Sequence, residues 1–261
     1  MKGCPLHCVW CANPESISGI PQLQWLDHKC IGCKSCLDAC SQKALFFEED
    51  GLHIIRENCN SCGDCQEACP STALTLLGMW WNPKDLFYDI EKEKIFFSGN
   101  GISTALDTCG YSRKRVYERL LPYTDIVLLD LKVFNSKKHE KFTGVPNQKI
   151  LKNAEWIAEY ISEHRKKLWI RTPLIPRYTA TDENVKRIGE FIVNNLKNIP
   201  EQWDLLSFNK LCESTYFRLG KSWVLKDEPL MTIEQMEYFQ AIAKSTSAKN
   251  VKWSGLTKKT S

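Results

Sequence analysis

The chain has 261 residues, 43% of them hydrophobic, enough for one core of α/β size and a small additional module. Its formal charge of +4 comes from 35 basic and 31 acidic residues that interleave with no long run of one sign, so charge gives nucleic-acid binding no support. No segment reads as a signal peptide or a membrane span; the most apolar strip, residues 125–131, is short, carries Asp125 and Asp130, and reads as a buried strand.

Eleven of the thirteen cysteines fall within the first 69 residues, and only Cys109 and Cys212 lie beyond. Disulfides suit small secreted chains and do not explain repeated two-residue gaps; metal ligation does. The first group is Gly3-Cys4-Pro5-Leu6-His7-Cys8-Val9-Trp10-Cys11-Ala12-Asn13-Pro14-Glu15. Its C-x3-C-x2-C spacing offers Cys4, Cys8 and Cys11 to an iron–sulfur cube and leaves one iron without a protein ligand. Substrate chemistry needs such an open position. Residues 30–40 then read Cys-Ile-Gly-Cys-Lys-Ser-Cys-Leu-Asp-Ala-Cys, and residues 59–70 read Cys-Asn-Ser-Cys-Gly-Asp-Cys-Gln-Glu-Ala-Cys-Pro. Each is C-x2-C-x2-C-x3-C, the run of bacterial two-cluster ferredoxins, in which the fourth cysteine of one run serves the other cluster. By that pattern one cube uses Cys30, Cys33, Cys36 and Cys69, and the other Cys59, Cys62, Cys65 and Cys40. Gly32, Ser35, Ser61 and Gly63 are small enough to let backbone amides approach the sulfurs. Two complete four-cysteine runs exceed what a zinc ribbon requires.

Trp80-Trp81 is expected to pack this module onto the rest of the chain and not to stack bases. Beyond it, short β-rich or apolar runs at 104–108, 125–132, 168–175 and 203–208 alternate with helical patterns. Val116, Leu120 and Leu121 mark one helix, and Leu151, Trp156, Ile157, Tyr160 and Ile161 a second. A third starts near Thr181-Asp182 and stripes Val185, Ile188, Phe191 and Ile192 along one face. Thr232 with Gln235 forms a capping box ahead of Ile233, Met236, Phe239 and Ile242. Such alternation implies right-handed crossovers and a parallel sheet, with functional residues collecting at the strand C-termini. Asp107, Thr108, Asp130, Lys132, Arg171 and Asn209 fall there. Cys109 and Cys212 are expected to be buried thiols, since the other eleven account for three clusters.

The three-cysteine loop, with an aromatic residue before its last cysteine, resembles that of radical S-adenosylmethionine (SAM) enzymes. More closely, Lys2-Gly3-Cys4-Pro5-Leu6, Trp10-Cys11-Ala12-Asn13-Pro14-Glu15 and the ferredoxin insert resemble the glycyl-radical-enzyme activating proteins that bear such an insert. Leu106-Asp107-Thr108-Cys109-Gly110-Tyr111, Leu129-Asp130-Leu131-Lys132, Ile170-Arg171-Thr172-Pro173-Leu174-Ile175-Pro176 and Leu205-Leu206-Ser207-Phe208 continue the likeness, in order, over nearly the whole chain. The resemblance implies an α/β fold: an incomplete radical-SAM partial (βα) barrel with a small inserted bacterial-ferredoxin-like α+β domain. The cluster loop would occupy residues 1–24, the ferredoxin-like domain 25–80, and the rest of the barrel 81–261. It also implies three 4Fe–4S clusters and SAM as cofactors. Cys4, Cys8 and Cys11 would hold the catalytic cluster, and Trp10 would border the adenine. Asp107, Thr108, Asp130, Lys132 and Arg171 would bind or position the cofactor. The implied partners are a glycyl radical enzyme as protein substrate and a flavodoxin or ferredoxin-type electron donor, without nucleic acid or membrane, in the cytoplasm of an anaerobic or facultative organism.

The chain departs from that family in three places. Members begin with a glycine-rich strand leading into the cysteine loop, whereas here the loop starts at residue 4. A Gly-Gly-Glu-Pro motif that binds the SAM amino group is expected after the insert, but the sequence has Phe96-Phe97-Ser98-Gly99-Asn100-Gly101-Ile102-Ser103-Thr104. Asn209 stands where a histidine is expected. A gap of about 30 residues, one βαβ step, would leave four of six barrel strands and an exposed sheet edge. These departures leave two alternatives: a non-catalytic iron–sulfur electron carrier on a truncated barrel, and a radical-SAM enzyme acting on a small molecule.

Overall fold

The computed structural model describes residues 2–99 and 101–258, with residues 94, 95 and 97–99 described by backbone alone. Asn100, within the stretch that replaces Gly-Gly-Glu-Pro, lies outside the described residues. The chain forms two units.

The first unit centres on the cysteine-rich module. Its elements are β1 (Gln22–Trp25), α1 (Ser35–Ala39), β2 (Leu45–Glu48), β3 (Gly51–Ile54), α2 (Asp64–Glu67) and β4 (Leu74–Leu77). β1 pairs antiparallel with β4, so the module closes end to end, while β2 and β3 form a hairpin. Each short helix follows a left-handed residue, Lys34 (φ 63°) before α1 and Gly63 (φ 98°) before α2. Those reversals turn the Cys loops back on themselves. Leu23, Leu45, Leu52 and Leu74 are buried together with Cys36 and Cys65, so sulfur occupies the centre of a small aliphatic core. Four-residue strands in pairs are marginal by themselves.

The second unit carries α3 (Pro83–Gly99), β5 (Ala105–Thr108), α4 (Lys114–Leu120), β6 (Ile126–Asp130), α5 (Ser136–Thr143), α6 (Gln148–Glu163), β7 (Lys167–Leu174), α7 (Asp182–Asn194) and β8 (Gln202–Ser207). The short helix α8 (Glu213–Arg218) belongs to the first unit, and α9 (Ile233–Ser245) and β9 (Val251–Ser254) return to the second. Strands β5 to β9 make one parallel sheet in sequence order. Val127, Leu129, Leu168, Ile170, Leu174, Trp203 and Leu205 are fully buried in it, each aliphatic contributing about 1.5–3 kcal/mol. Ile150, Ala154, Ile157, Ala158 and Ile161 are the buried side of α6, and Val185, Ile188, Phe191 and Ile192 that of α7. α7 and α9 approach closely at Gly189, where a Cβ would lie 2.3 Å from Thr246 Oγ1.

One expectation is corrected. The sheet has five strands among the described residues, not four: Val251–Ser254 pairs with β8, Val251 opposite Trp203. Its Val-Lys-Trp-Ser sequence is too short and too polar to register as a strand. Trp80 and Trp81 are 75% and 47% exposed. The edge strand β5 is half exposed, with Ala105 and Asp107 open to solvent.

Candidate iron–sulfur and cofactor site

The eight cysteines of the ferredoxin-like module sort into two cavities. One is lined by Cys30, Cys33, Cys36 and Cys69 with Trp25, Phe47, Leu52 and Leu74. The other is lined by Cys40, Cys59, Cys62 and Cys65 with Leu23, Leu45 and Leu76. Each set takes three cysteines from one run and the fourth from the other, because β1–β4 pairing folds the runs against each other. Backbone amides aim at the exchanged sulfurs: Ala44 N donates to Cys40 Sγ and Ala73 N to Cys69 Sγ, both at 3.3 Å.

The electrostatics of four converging thiols fit a metal centre. Burial and the neighbouring thiolates of Cys40, Cys59 and Cys62 push Cys65 up to about 11. Burial likewise pushes the Cys36 thiol up, reinforced by Cys33, Cys69 and Cys30. Four thiolates this close repel one another unless iron neutralises them.

The three-cysteine loop is held by backbone hydrogen bonds in each unit. In the first, Gly3 N and Cys4 N donate to Ser16 O at 2.8 and 3.0 Å, and Lys2 reaches Glu15 O and the Gln22 side chain. Tyr216 on α8 donates its hydroxyl to Cys11 O at 3.1 Å. In the second unit, His7 N donates to Thr143 O (2.7 Å) and Val9 N to Phe142 O (3.1 Å), the last carbonyls of α5. Gly144 ends α5 at φ 83°, a conformation that glycine adopts without a Cβ penalty. Trp10 is buried, edge-on to Phe142 and Tyr178.

At the C-terminal ends of β5 and β6 four of the six predicted cofactor residues meet. Asp130 accepts from Lys132 Nζ at 2.7 Å on one oxygen and from Arg171 Nε at 2.9 Å on the other, and Arg171 also pairs with Asp107. Register places Arg171 of β7 directly across from Asp130. Burial alone would lower Lys132, but Asp130 and the Cys8 thiolate outweigh it and raise its affinity for the proton. The four charges balance, with Lys132, Arg171 and Asp130 largely buried and Asp107 exposed. Thr108 lies apart from this group: its hydroxyl meets Tyr117 OH at 3.1 Å and accepts from Gly110 N.

Sequence reasoning missed the buried polar residues that fix this segment. Asn184 donates to Lys132 O and Thr179 O and accepts from Phe134 N. Asn147 donates to Val133 O and Phe134 O. An asparagine inside the apolar stripe of α7 was the available signal. Cys212 is buried as expected, whereas Cys109 is only partly so. Asn209 lies just after β8.

A parallel α/β sheet with charged residues at its strand ends, a double four-cysteine module and an open three-cysteine loop define an iron–sulfur enzyme. Residues 29–73 match the family described as a 4Fe-4S dicluster domain. The 4-hydroxyphenylacetate decarboxylase activating enzyme of Clostridium scatologenes is 31% identical, covering 92% of this chain and 86% of that protein. The trans-4-hydroxy-L-proline dehydratase activating enzyme of Clostridioides difficile is 30% identical over 94% of this chain and 89% of that protein. The indoleacetate decarboxylase activating enzyme of Tractidigestivibacter scatoligenes is 30% identical, covering 95% and 89%. The chain belongs to the glycyl-radical-enzyme activating enzymes of the radical SAM superfamily. The first alignment spans 273 positions while covering 92% of these 261 residues, so that relative carries residues that this chain omits. Among the described residues, no helix is long and apolar enough to cross a membrane.

Proposed function

We propose that this chain cleaves SAM reductively and abstracts a Cα hydrogen from a glycine of a partner glycyl radical enzyme, leaving a stored glycyl radical. The observation that carries the reading is the relationship to activating enzymes over 92% of the chain. Cys4, Cys8 and Cys11 would hold the site cluster. That cluster supplies an open iron to chelate SAM and an electron to the sulfonium, releasing the hydrogen-abstracting 5′-deoxyadenosyl radical. Lys132 and Arg171 offer cationic donors to the SAM carboxylate, and Asp107 and Asp130 offer acceptors to its amino group, the role left open by the absent Gly-Gly-Glu-Pro segment. Trp10 would shield the adenine from water, and Thr108 at the end of β5 would position the cofactor from outside the charged group. No general base is needed for hydrogen-atom transfer, so positioning and water exclusion are the protein's contributions.

Two further 4Fe–4S clusters would be held by the crossed cysteine sets, making three in all; four thiols lining each cavity support this. A flavodoxin or ferredoxin-type protein would supply electrons, in the cytoplasm. The electron-carrier and small-molecule alternatives have no counterpart among the three relatives from Clostridium, Clostridioides and Tractidigestivibacter, which are all activating enzymes. The test is EPR of a panel of glycyl radical enzymes incubated with the reduced protein and SAM. A glycyl doublet on one member is the expected result. Formation of 5′-deoxyadenosine with no doublet on any of them would favour the small-molecule alternative.

A further inference from the structure

The two halves of the ferredoxin-like module repeat their cysteines but not their charges. The interval that separates Cys30 from Cys59 also separates Asp27 from Arg56. Asp27 lies one turn before Cys30, whose N–H donates to Asp27 O at 2.9 Å, and its carboxylate is 61% exposed. Arg56 occupies the matching place before Cys59 and is turned inward. Its guanidinium donates to Leu23 O and, at 3.2 Å, to Arg218 O on α8. Leu23 itself lines the cavity of Cys40, Cys59, Cys62 and Cys65. The third nitrogen position, Nε, is buried with no hydrogen-bond partner among the described residues. Burial lowers Arg56, and the Cys59 thiolate acts against that. A partly buried cation thus lies three residues before Cys59 with its charge answered by no carboxylate among the described residues, whereas Lys34, the cation that lines the other set's cavity, is exposed.

We propose that Arg56 sets the reduction potential of the cluster held by Cys40, Cys59, Cys62 and Cys65, making the two halves of the module electrically unlike. The inference rests on the reading that each cysteine set holds a cube. Reduction adds one negative charge, with no bond made or broken and no proton moved, and a buried cation favours the reduced form. Glu57 and Asp64 lie near the same half but are exposed, so solvent and salt screen them far more than Arg56. The amide-to-sulfur bonds at Ala44 and Ala73 are equal in length and do not distinguish the halves. The half so charged also shares α8 with the radical-SAM loop, because α8 provides both Arg218 O to Arg56 and the Tyr216 hydroxyl to Cys11 O.

The test is an EPR-monitored redox titration of the anaerobically reconstituted full chain, with irons counted and dithionite as the electron source; it needs neither SAM nor a partner. In Arg56→Gln, which drops the charge, one module signal shifts to lower potential, so that its reduced fraction at a fixed poise falls about tenfold. The other module signal stays in place, and Arg56→Lys restores most of the shift. Gly220 provides a second route that leaves Arg56 intact. A Cβ there would lie 3.9 Å from Arg56 Nε, so Gly220→Asp answers the charge and lowers the same signal, while Gly220→Asn does not. The proposal is overturned if neither signal moves, if both move equally, or if the lysine variant behaves as the glutamine one. Where Arg56→Gln fails to keep its irons, the Gly220 pair decides. A potential that responds to Arg56 in a protein that leaves SAM intact would sink the activating reading and leave this one standing.

Discussion

Asp130 takes a cation on each carboxylate oxygen, Lys132 at 2.7 Å and Arg171 at 2.9 Å, with all three side chains less than a fifth exposed. Asp130→Asn would leave two cations adjoining at the end of β6, with the exposed Asp107 as the carboxylate still paired to Arg171. Breaking a buried pair of this kind costs about 3 kcal/mol, and thermal melting should record the loss. His139 gives a second residue-level prediction. It is buried, with Nδ1 2.6 Å from Val145 O, and burial lowers its pKa from the ordinary 6.5. The unfolded chain therefore binds the proton more readily. The stability it contributes is complete above pH 6.5 and lost as pH falls through the depressed folded value. Between pH 7.5 and 5.5 the melting temperature should drop, with a slope of up to about 1.4 kcal/mol per pH unit, and His139→Gln should flatten it. The cysteines were legible because cluster ligands must recur at fixed spacings. Arg56, Asn147 and Asn184 were not, because a buried polar residue is defined by partners distant in sequence.

Among the elements, α9 shows how far local chemistry reaches. Its N-terminus carries a complete capping box, Gln235 N donating to Thr232 Oγ1 at 3.2 Å and Thr232 N to Gln235 Oε1 at 2.9 Å, and the sequence alone placed it. Thr232→Ala should destabilise the second unit by about 1 kcal/mol, measurable as a shift in denaturant midpoint. The strands β5 to β8 were readable from their apolar runs and alternation with helices. β9 was not, because Lys252 and Ser254 interrupt a four-residue strand whose identity depends on pairing with β8.

At the scale of the whole molecule, the chain combines a parallel sheet rich in buried aliphatics with a module whose sheets are two-stranded and whose core includes cysteine sulfur. Stability should be divided accordingly. Iron chelation or oxidative cluster loss should unfold the β1–β4 and β2–β3 pairs, seen as protease cleavage within residues 22–77, while the β5–β9 sheet persists by far-UV circular dichroism. Class of fold and class of cofactor were both legible, since strand–helix alternation and cysteine spacing are local patterns. The full strand count and the crossed neutralisation of Asp130 were not, since both depend on contacts across the sheet. Whether this shortened chain performs radical-SAM chemistry is decided by anaerobic reconstitution, iron counting and dithionite-driven turnover with SAM, followed by assay of 5′-deoxyadenosine. About twelve irons per chain are expected, with 5′-deoxyadenosine formed as SAM is consumed. A fully loaded, reduced protein that leaves SAM intact would contradict the activating function.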